Sequence, residues 1–268
     1  MEKNTLKRVA SHVLAIVMTL SVLVIVNPQE AGAADLGKTI TGSGKQTVTI
    51  TDEQSYGDGK TYGSGQYYWI KFKAKKDGYV ELTPDGWPDG GMTHGYFTLF
   101  DGKKKKALSP EITYSPSVFI DYGVKKGATY NLRVRAESGT IITATFTNVK
   151  KDGGAKQSKA KSLKKGKWVK GYIVAGSSSS RWYKVTRNST GKLSFQFRPY
   201  VTNSLQVTIK GPGMKPYKFS AKSGFAADGR QSFTTYNPRG PAGKGTFYIQ
   251  IKPKTKTTTG YYELLWKK

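Results

Sequence analysis

The chain has 268 residues, with 44 Lys and Arg against 17 Asp and Glu, a formal charge of +27 and no cysteine. Its length allows one large domain or two of roughly 100–150 residues, and 37% hydrophobic with 12% aromatic content excludes whole-chain disorder. The lack of Cys excludes a disulfide scaffold, a Cys-ligated zinc or iron–sulfur site and an acylated lipoprotein. With only His12 and His94, a His-cluster metal site is excluded as well.

The first segment reads as an address. Lys3, Lys7 and Arg8 precede an uncharged apolar run of 14 residues, Val13 to Val26, followed by Asn27-Pro28 and Ala31-Gly32-Ala33. This layout predicts a secretory signal peptide over residues 1–33, cleaved after Ala33. The alternative is a retained membrane anchor, but crossing the hydrocarbon core takes about 20 apolar residues. No later segment is apolar enough to span a bilayer. The expectation is a secreted, extracellular chain with no transmembrane segment, cell-wall association included. Secreted proteins of Gram-positive bacteria often lack Cys, and that origin fits.

From residue 34 onward the apolar residues alternate. Ile70, Phe72 and Ala74 do so, as do Tyr130, Leu132 and Val134, then Leu193, Phe195 and Phe197, then Leu205, Val207 and Ile209, then Phe247, Ile249 and Ile251. A period of two sends successive side chains to opposite faces of a sheet, so each run buries one face and wets the other. Gly and Pro at short intervals, as in Asp77-Gly78, Lys126-Gly127 and Gly211-Pro212-Gly213, supply the turns. The fold class expected is all-β, as antiparallel, jelly-roll-like sandwiches.

The pattern is doubled. Trp69 to Leu82 aligns without gaps to Trp182 to Phe195, matching Trp69 with Trp182 and Gly78 with Gly191. Thr129 to Arg135 aligns with Thr246 to Lys252, and upstream Gly37 to Gly42 aligns with Gly166 to Gly171. Two tandem β-sandwich domains are expected, over residues 34–149 and 163–268, with the polar Gly- and Lys-rich segment 150–162 as a linker. The first unit has about 16 more residues before its Trp, read as an added strand plus a surface loop within 46–66.

These residues resemble a known family. The Gly-flanked strand, the aromatic pair Trp182-Tyr183, the turn Gly191, the late Gly245-Thr-Phe-Tyr-Ile-Gln-Ile251 and the closing Thr259-Gly-Tyr-Tyr-Glu-Leu264 are similar in order to bacterial pre-peptidase C-terminal domains. The resemblance implies a β-sandwich module of the kind appended to secreted enzymes, collagen-binding modules included. Where the family usually has an acidic residue before the aromatic pair, this chain has Arg181, with Tyr68 in the first unit. The calcium ligation of some members therefore does not transfer.

Charge divides unequally. Residues 34–150 hold 16 basic and 12 acidic groups, whereas residues 151–268 hold 25 basic and 3 acidic. Outward positions of the second unit place Lys184, Lys192, Arg198, Lys210 and Lys252 on one wet face, with Lys164, Lys165, Lys167 and Lys170 beside them. Such a surface suits an anionic polymer such as teichoic acid or an acidic polysaccharide; a solubility surface is the bland alternative. Trp168, Trp182 and Tyr248 are candidate aromatic contacts for a glycan or collagen, or half-buried structural residues. No helix-turn-helix, zinc or RNP pattern is present, so sequence-specific nucleic-acid binding is not expected.

Catalysis finds little support. Asp85, Asp89 and His94 share one Gly-rich loop, in which the two aspartates are the candidate metal ligands, but the spacing matches neither an EF-hand nor HExxH. No G-x-S-x-G elbow presents a serine. The expectation is a non-enzymatic binding protein with no cofactor.

Overall fold

Alternation becomes layering in the computed structural model, which describes residues 34–42, 44–49, 66–85, 95–114, 119–136, 140–150, 152–225, 231–233 and 235–267. Ile70, Phe72 and Ala74 are buried while Lys71 and Lys73 between them are exposed. Leu193, Phe195 and Phe197 face inward in the same way. Each fully buried Val, Leu, Ile or Phe contributes roughly 1.5–3 kcal/mol by leaving water. The signal-peptide segment, most of the 46–66 stretch and the residues Asp89 and His94 lie outside the described residues.

The first sandwich contains β1 (Ala34–Gly42), β2 (Gly44–Thr49), β3 (Gln66–Ala74), β4 (Gly78–Asp85), β5 (Gly95–Asp101), β6 (Ile112–Tyr114), β7 (Ile120–Val124), β8 (Thr129–Ala136) and β9 (Ile141–Asn148). The second contains β10 (Lys161–Ser162), β11 (Trp168–Ile173), β12 (Arg181–Arg187), β13 (Gly191–Val201), β14 (Ser204–Gly211), β15 (Met214–Phe225), β16 (Gln231–Phe233), β17 (Arg239–Ala242), β18 (Gly245–Pro253) and β19 (Gly260–Trp266). No α-helix occurs among the described residues.

The repeat is topological. In the first sandwich the sheets are ordered β1-β3-β8-β5-β6 and β2-β9-β4-β7; in the second, β10-β12-β18-β14-β15-β16 and β11-β19-β13-β17. Strand by strand these are the same two sheets, with β16 added. Each sandwich has its own core, one around Ile70, Phe97, Tyr122 and Val134, the other around Tyr183, Phe195, Phe247 and Ile249. The matched turn glycines both take positive φ, 154° at Gly78 and 128° at Gly191. A Cβ at Gly78 would meet the Thr147 carbonyl oxygen at 2.0 Å, so the tight approach requires glycine there.

The antiparallel, two-sandwich, all-β class is as expected, with one exception in each sandwich. The ladders are antiparallel except for β1–β3 and β10–β12, which are parallel. The chain crosses to the other sheet for β2 or β11 and returns running in its original direction. For the same reason the upstream alignment was misplaced: Gly37 to Gly42 lies in β1, whereas Gly166 to Gly171 leads into β11, the counterpart of β2. The strand within 46–66 is thus no addition to the first unit.

The segment expected as a linker is built into the second sandwich. Gly154 exchanges two backbone hydrogen bonds with Trp182, both 2.8 Å, and β10 adds to the edge of β12. Asp152 pairs with Arg181. A segment that docks through its backbone leaves no apolar pattern to read.

The sandwiches meet at one end of β11, β19 and β13. Tyr79, Val149, Tyr172 and Tyr261 form a third apolar cluster there, joined by Val174 and Tyr200. The Gly123 carbonyl accepts the Ala175 N–H (2.8 Å), and the Gly123 N–H donates to Thr259 Oγ1 (2.9 Å). Residues Ala33–Lys268 accordingly form one unit.

Candidate functional site

The outer face of the sheet containing β12, β18, β14 and β15 is built by simple alternation. With Tyr183, Val185, Ile249, Ile251, Val207 and Ile209 turned into the core, Trp182, Lys184, Tyr248, Gln250, Lys252, Thr208 and Lys210 turn out. The register aligns them in rows. Lys184, Tyr248 and Lys210 lie straight across three strands. The next row is Trp182, Gln250, Thr208 and Lys218, and the one beyond is Lys252, Gln206 and Ser220. A strand spacing of about 4.8 Å puts Lys184 and Lys210 about 10 Å apart at their backbones, on either side of Tyr248.

No described carboxylate is ion-paired with Lys184, Lys210, Lys218, Lys222 or Lys252. Lys210 Nζ lies 5.2 Å above the Trp182 ring, so that indole is half-buried and capped by a cation. Lys218 and Lys222 were not among the candidates from sequence. Their signal was present, since they alternate with Tyr217, Phe219 and Ala221, but Tyr217 is itself exposed and blurs the period.

The other predicted cations sit elsewhere. Lys170 and Arg198 point out from the opposite sheet, where both flank Glu263, Lys170 Nζ at 3.6 Å from Oε1 and Arg198 Nη1 at 3.6 Å from Oε2. Burial opposes the Lys170 charge, yet Tyr79 and Glu263 outweigh it and hold the ammonium above its ordinary range. Lys192 begins β13, on that same sheet. Trp168, 38% exposed, is also there, with the Arg198 guanidinium 4.4 Å over its ring. The single cationic face read from sequence is therefore two opposite faces. Alternation separates inside from outside but does not say to which sheet a strand belongs.

Lys164, Lys165 and Lys167 occupy the exposed turn between β10 and β11, at the end of the sandwich away from the junction. Gly166 N–H donates to the Trp266 carbonyl (2.8 Å) and fixes that turn to the last strand. The Leu163 N–H donates to the Lys184 carbonyl (2.9 Å), which brings the turn beside the lysine rows.

Of the acidic candidates, Asp85 closes β4 opposite Ile141, and among the described residues no group of three His, Cys, Asp or Glu could hold a metal. The acids that matter structurally lie at the junction. Burial, and then the neighbouring Glu81, pushes Asp121 well above the usual carboxylate range, while Lys170 pulls it back. Burial raises Glu81 too, again opposed by Lys170.

No protein-family model matches the chain, and no curated protein matches it significantly. Among solved structures, the CUB1-EGF-CUB2 domains of rat MASP-1 are 8% identical over 85% of this chain and 99% of that one, with a TM-score of 0.25. The CBM22 tandem domain of Xyn10C from Paenibacillus barcinonensis is 11% identical over 83% and 90%, with a TM-score of 0.22. For the isomalto-dextranase of Arthrobacter globiformis T6 complexed with panose the figures are 10%, 83% and only 36% of that chain, at 0.24. Superpositions this loose carry no argument about function. No helix among the described residues is long and apolar enough to cross a membrane.

Proposed function

We propose that this chain is an exported, non-enzymatic binding protein of two tandem sandwiches, similar to pre-peptidase C-terminal domains, whose second sandwich adheres to an anionic polymer of the cell envelope or extracellular matrix. Outside a bacterial cell, teichoic acids and acidic polysaccharides have that chemistry, as does free DNA. One observation carries the reading: the lysine rows of the β12–β18–β14–β15 sheet face solvent with no described carboxylate among them. A domain charged this heavily repels itself, and a polyanion relieves that repulsion while releasing its own counterions.

The test is sedimentation with purified cell walls across a salt series. The log of affinity should fall linearly with the log of salt. Replacing Lys184, Lys210, Lys218 and Lys252 by Glu should abolish retention, whereas reversing the exposed Lys71 and Lys73 of the first sandwich should not. Retention indifferent to salt and to removal of the wall's anionic polymer would overturn the reading.

A second reading rests on Trp182 and Tyr248 sharing that face: a glycan- or collagen-binding pair that targets a secreted hydrolase. Aromatic stacking tolerates salt, so glycan-array hits that survive high salt and vanish in Trp182→Ala would favour it.

A further inference from the structure

The second sandwich is open along one lateral edge. Near its start, β15 is the last strand of one sheet, since β16 pairs only with Ser223 to Phe225. Across the gap, β17 is the last strand of the other sheet and pairs with β13 only from Gly191 to Ser194. Between these two edges lies a cavity of about 330 Å³, within the size range of small-molecule sites, roughly 300–1,000 Å³.

The floor of the cavity is core. Leu193, Phe195 and Ile209 line it, and all three belong to the buried cluster of the sandwich. Met214, an adaptable gap-filler, and the buried Pro238 add apolar lining. Tyr217 is also part of the lining and is 49% exposed. Lys215 and Arg239 are the charged residues of the lining, both exposed and neither paired with a described carboxylate. Arg239 stands opposite Ser194 on the outward side of β17, which leaves Lys215 as the cation at the mouth.

An apolar interior with a cationic mouth selects a ligand with both properties. We infer that this cavity binds a free, single-chain anionic amphiphile, with the alkyl chain against Leu193, Phe195, Ile209 and Met214 and the anionic head at Lys215. The site is distinct from the lysine rows, which offer cations on a flat face without an apolar interior. Its occupancy does not depend on what those rows hold.

Titration calorimetry with dodecyl phosphate below its micelle concentration tests the inference, with dodecyl maltoside as the uncharged-head control and inorganic phosphate as the head alone. The expected result is one saturable site for dodecyl phosphate, at least tenfold weaker binding of the maltoside and no saturable binding of phosphate. Two variants fill the cavity: Met214→Trp, and Gly240→Leu, where an added Cβ meets nothing within 4 Å. Each should weaken dodecyl phosphate at least tenfold at unchanged melting temperature. Lys215→Glu should erase the preference for the anionic head while leaving the maltoside unaffected, and Arg239→Glu, on the outer face, should not. No saturable binding, or affinity that both filling variants leave intact, overturns the site. Equal affinity for the two head groups overturns the assignment of the rim.

Discussion

Tyr79 of the first sandwich and Tyr261 of the second stack face to face, with ring centroids 4.0 Å apart and planes 14° from parallel. Tyr200 stacks on the far side of Tyr261 at 4.4 Å and 5°, and Lys170 Nζ lies 5.3 Å over the Tyr261 ring. The stack is a consequence of register. Tyr172, Tyr261 and Tyr200 form one row across β11, β19 and β13, one residue short of the row Ile173, Gly260 and Val201 that ends the sheet against the first sandwich. The next row, Lys170, Glu263 and Arg198, closes the junction with charge.

Coupling across the junction should therefore be measurable. In a double-mutant cycle, Tyr79→Ala and Tyr261→Ala should show an interaction of about 0.5–1.5 kcal/mol, the usual range for a stacked aromatic pair. In denaturant, the double variant should unfold in two transitions where the parent unfolds in one. Additive single losses would show that the rings touch without holding the sandwiches together.

Gly123 tests the same junction through the backbone. A Cβ there would lie 2.0 Å from the Ile173 carbonyl oxygen and 2.9 Å from that of Gly260, both backbone atoms that cannot turn aside. Gly123→Ala must push β7 off β11 and weaken its bonds to Ala175 and Thr259. Overpacking of this kind costs about 1–3 kcal/mol, and melting should show the loss. Hydrogen exchange should quicken at Ala175, whose N–H bonds Gly123, and not in the cores around Phe97 and Phe247.

Asp152 and Arg181 anchor the segment that precedes β10. Both are largely buried, at 17% and 14% side-chain exposure. Burial opposes the Arg181 charge, but Asp152 beside it holds the guanidinium protonated. Asp152→Ala leaves that charge buried without its partner and should destabilise the second sandwich by about 3 kcal/mol. Replacing both residues together, by Asp152→Asn with Arg181→Gln, should cost less than the single change. If the single change is neutral, the segment is held by the Gly154–Trp182 backbone bonds alone.

The two layers, the doubling and the two cores were legible because period-two burial is written directly in side-chain polarity: Ile70, Phe72 and Ala74 against Lys71 and Lys73 admit one arrangement. The pairing of strands was not. Lys192 and Arg198 alternate outward just as Lys184 does, yet β13 and β12 belong to different sheets, so their cations face opposite ways. The docked segment was also hidden, since Gly154 and β10 contribute backbone hydrogen bonds that any sequence could make. The edge cavity depends on where β15 and β17 stop, and strand ends carry little polarity signal in Met214, Pro238 or Gly240.

The junction also sets a pH dependence. Asp121 is 2% exposed, and burial followed by Glu81 raises its folded-state pKa well above the ordinary 3.8, against the pull of Lys170. A carboxyl raised on folding binds its proton more tightly in the native state. Its contribution to stability is complete below the unfolded value and is lost as pH climbs from 3.8 through the folded value. Glu81 has the same sign, starting from 4.5. The junction tyrosines agree with it at alkaline pH: burial first, and then nearby acids, raise Tyr200 to about 12. Asp121→Asn keeps the shape and removes the ionisation. Its melting temperature should match the parent near pH 4 and exceed it by a growing margin as pH rises and the parent's carboxyl ionises. A constant offset between parent and variant from pH 4 to 9 would show that Asp121 does not titrate in this range.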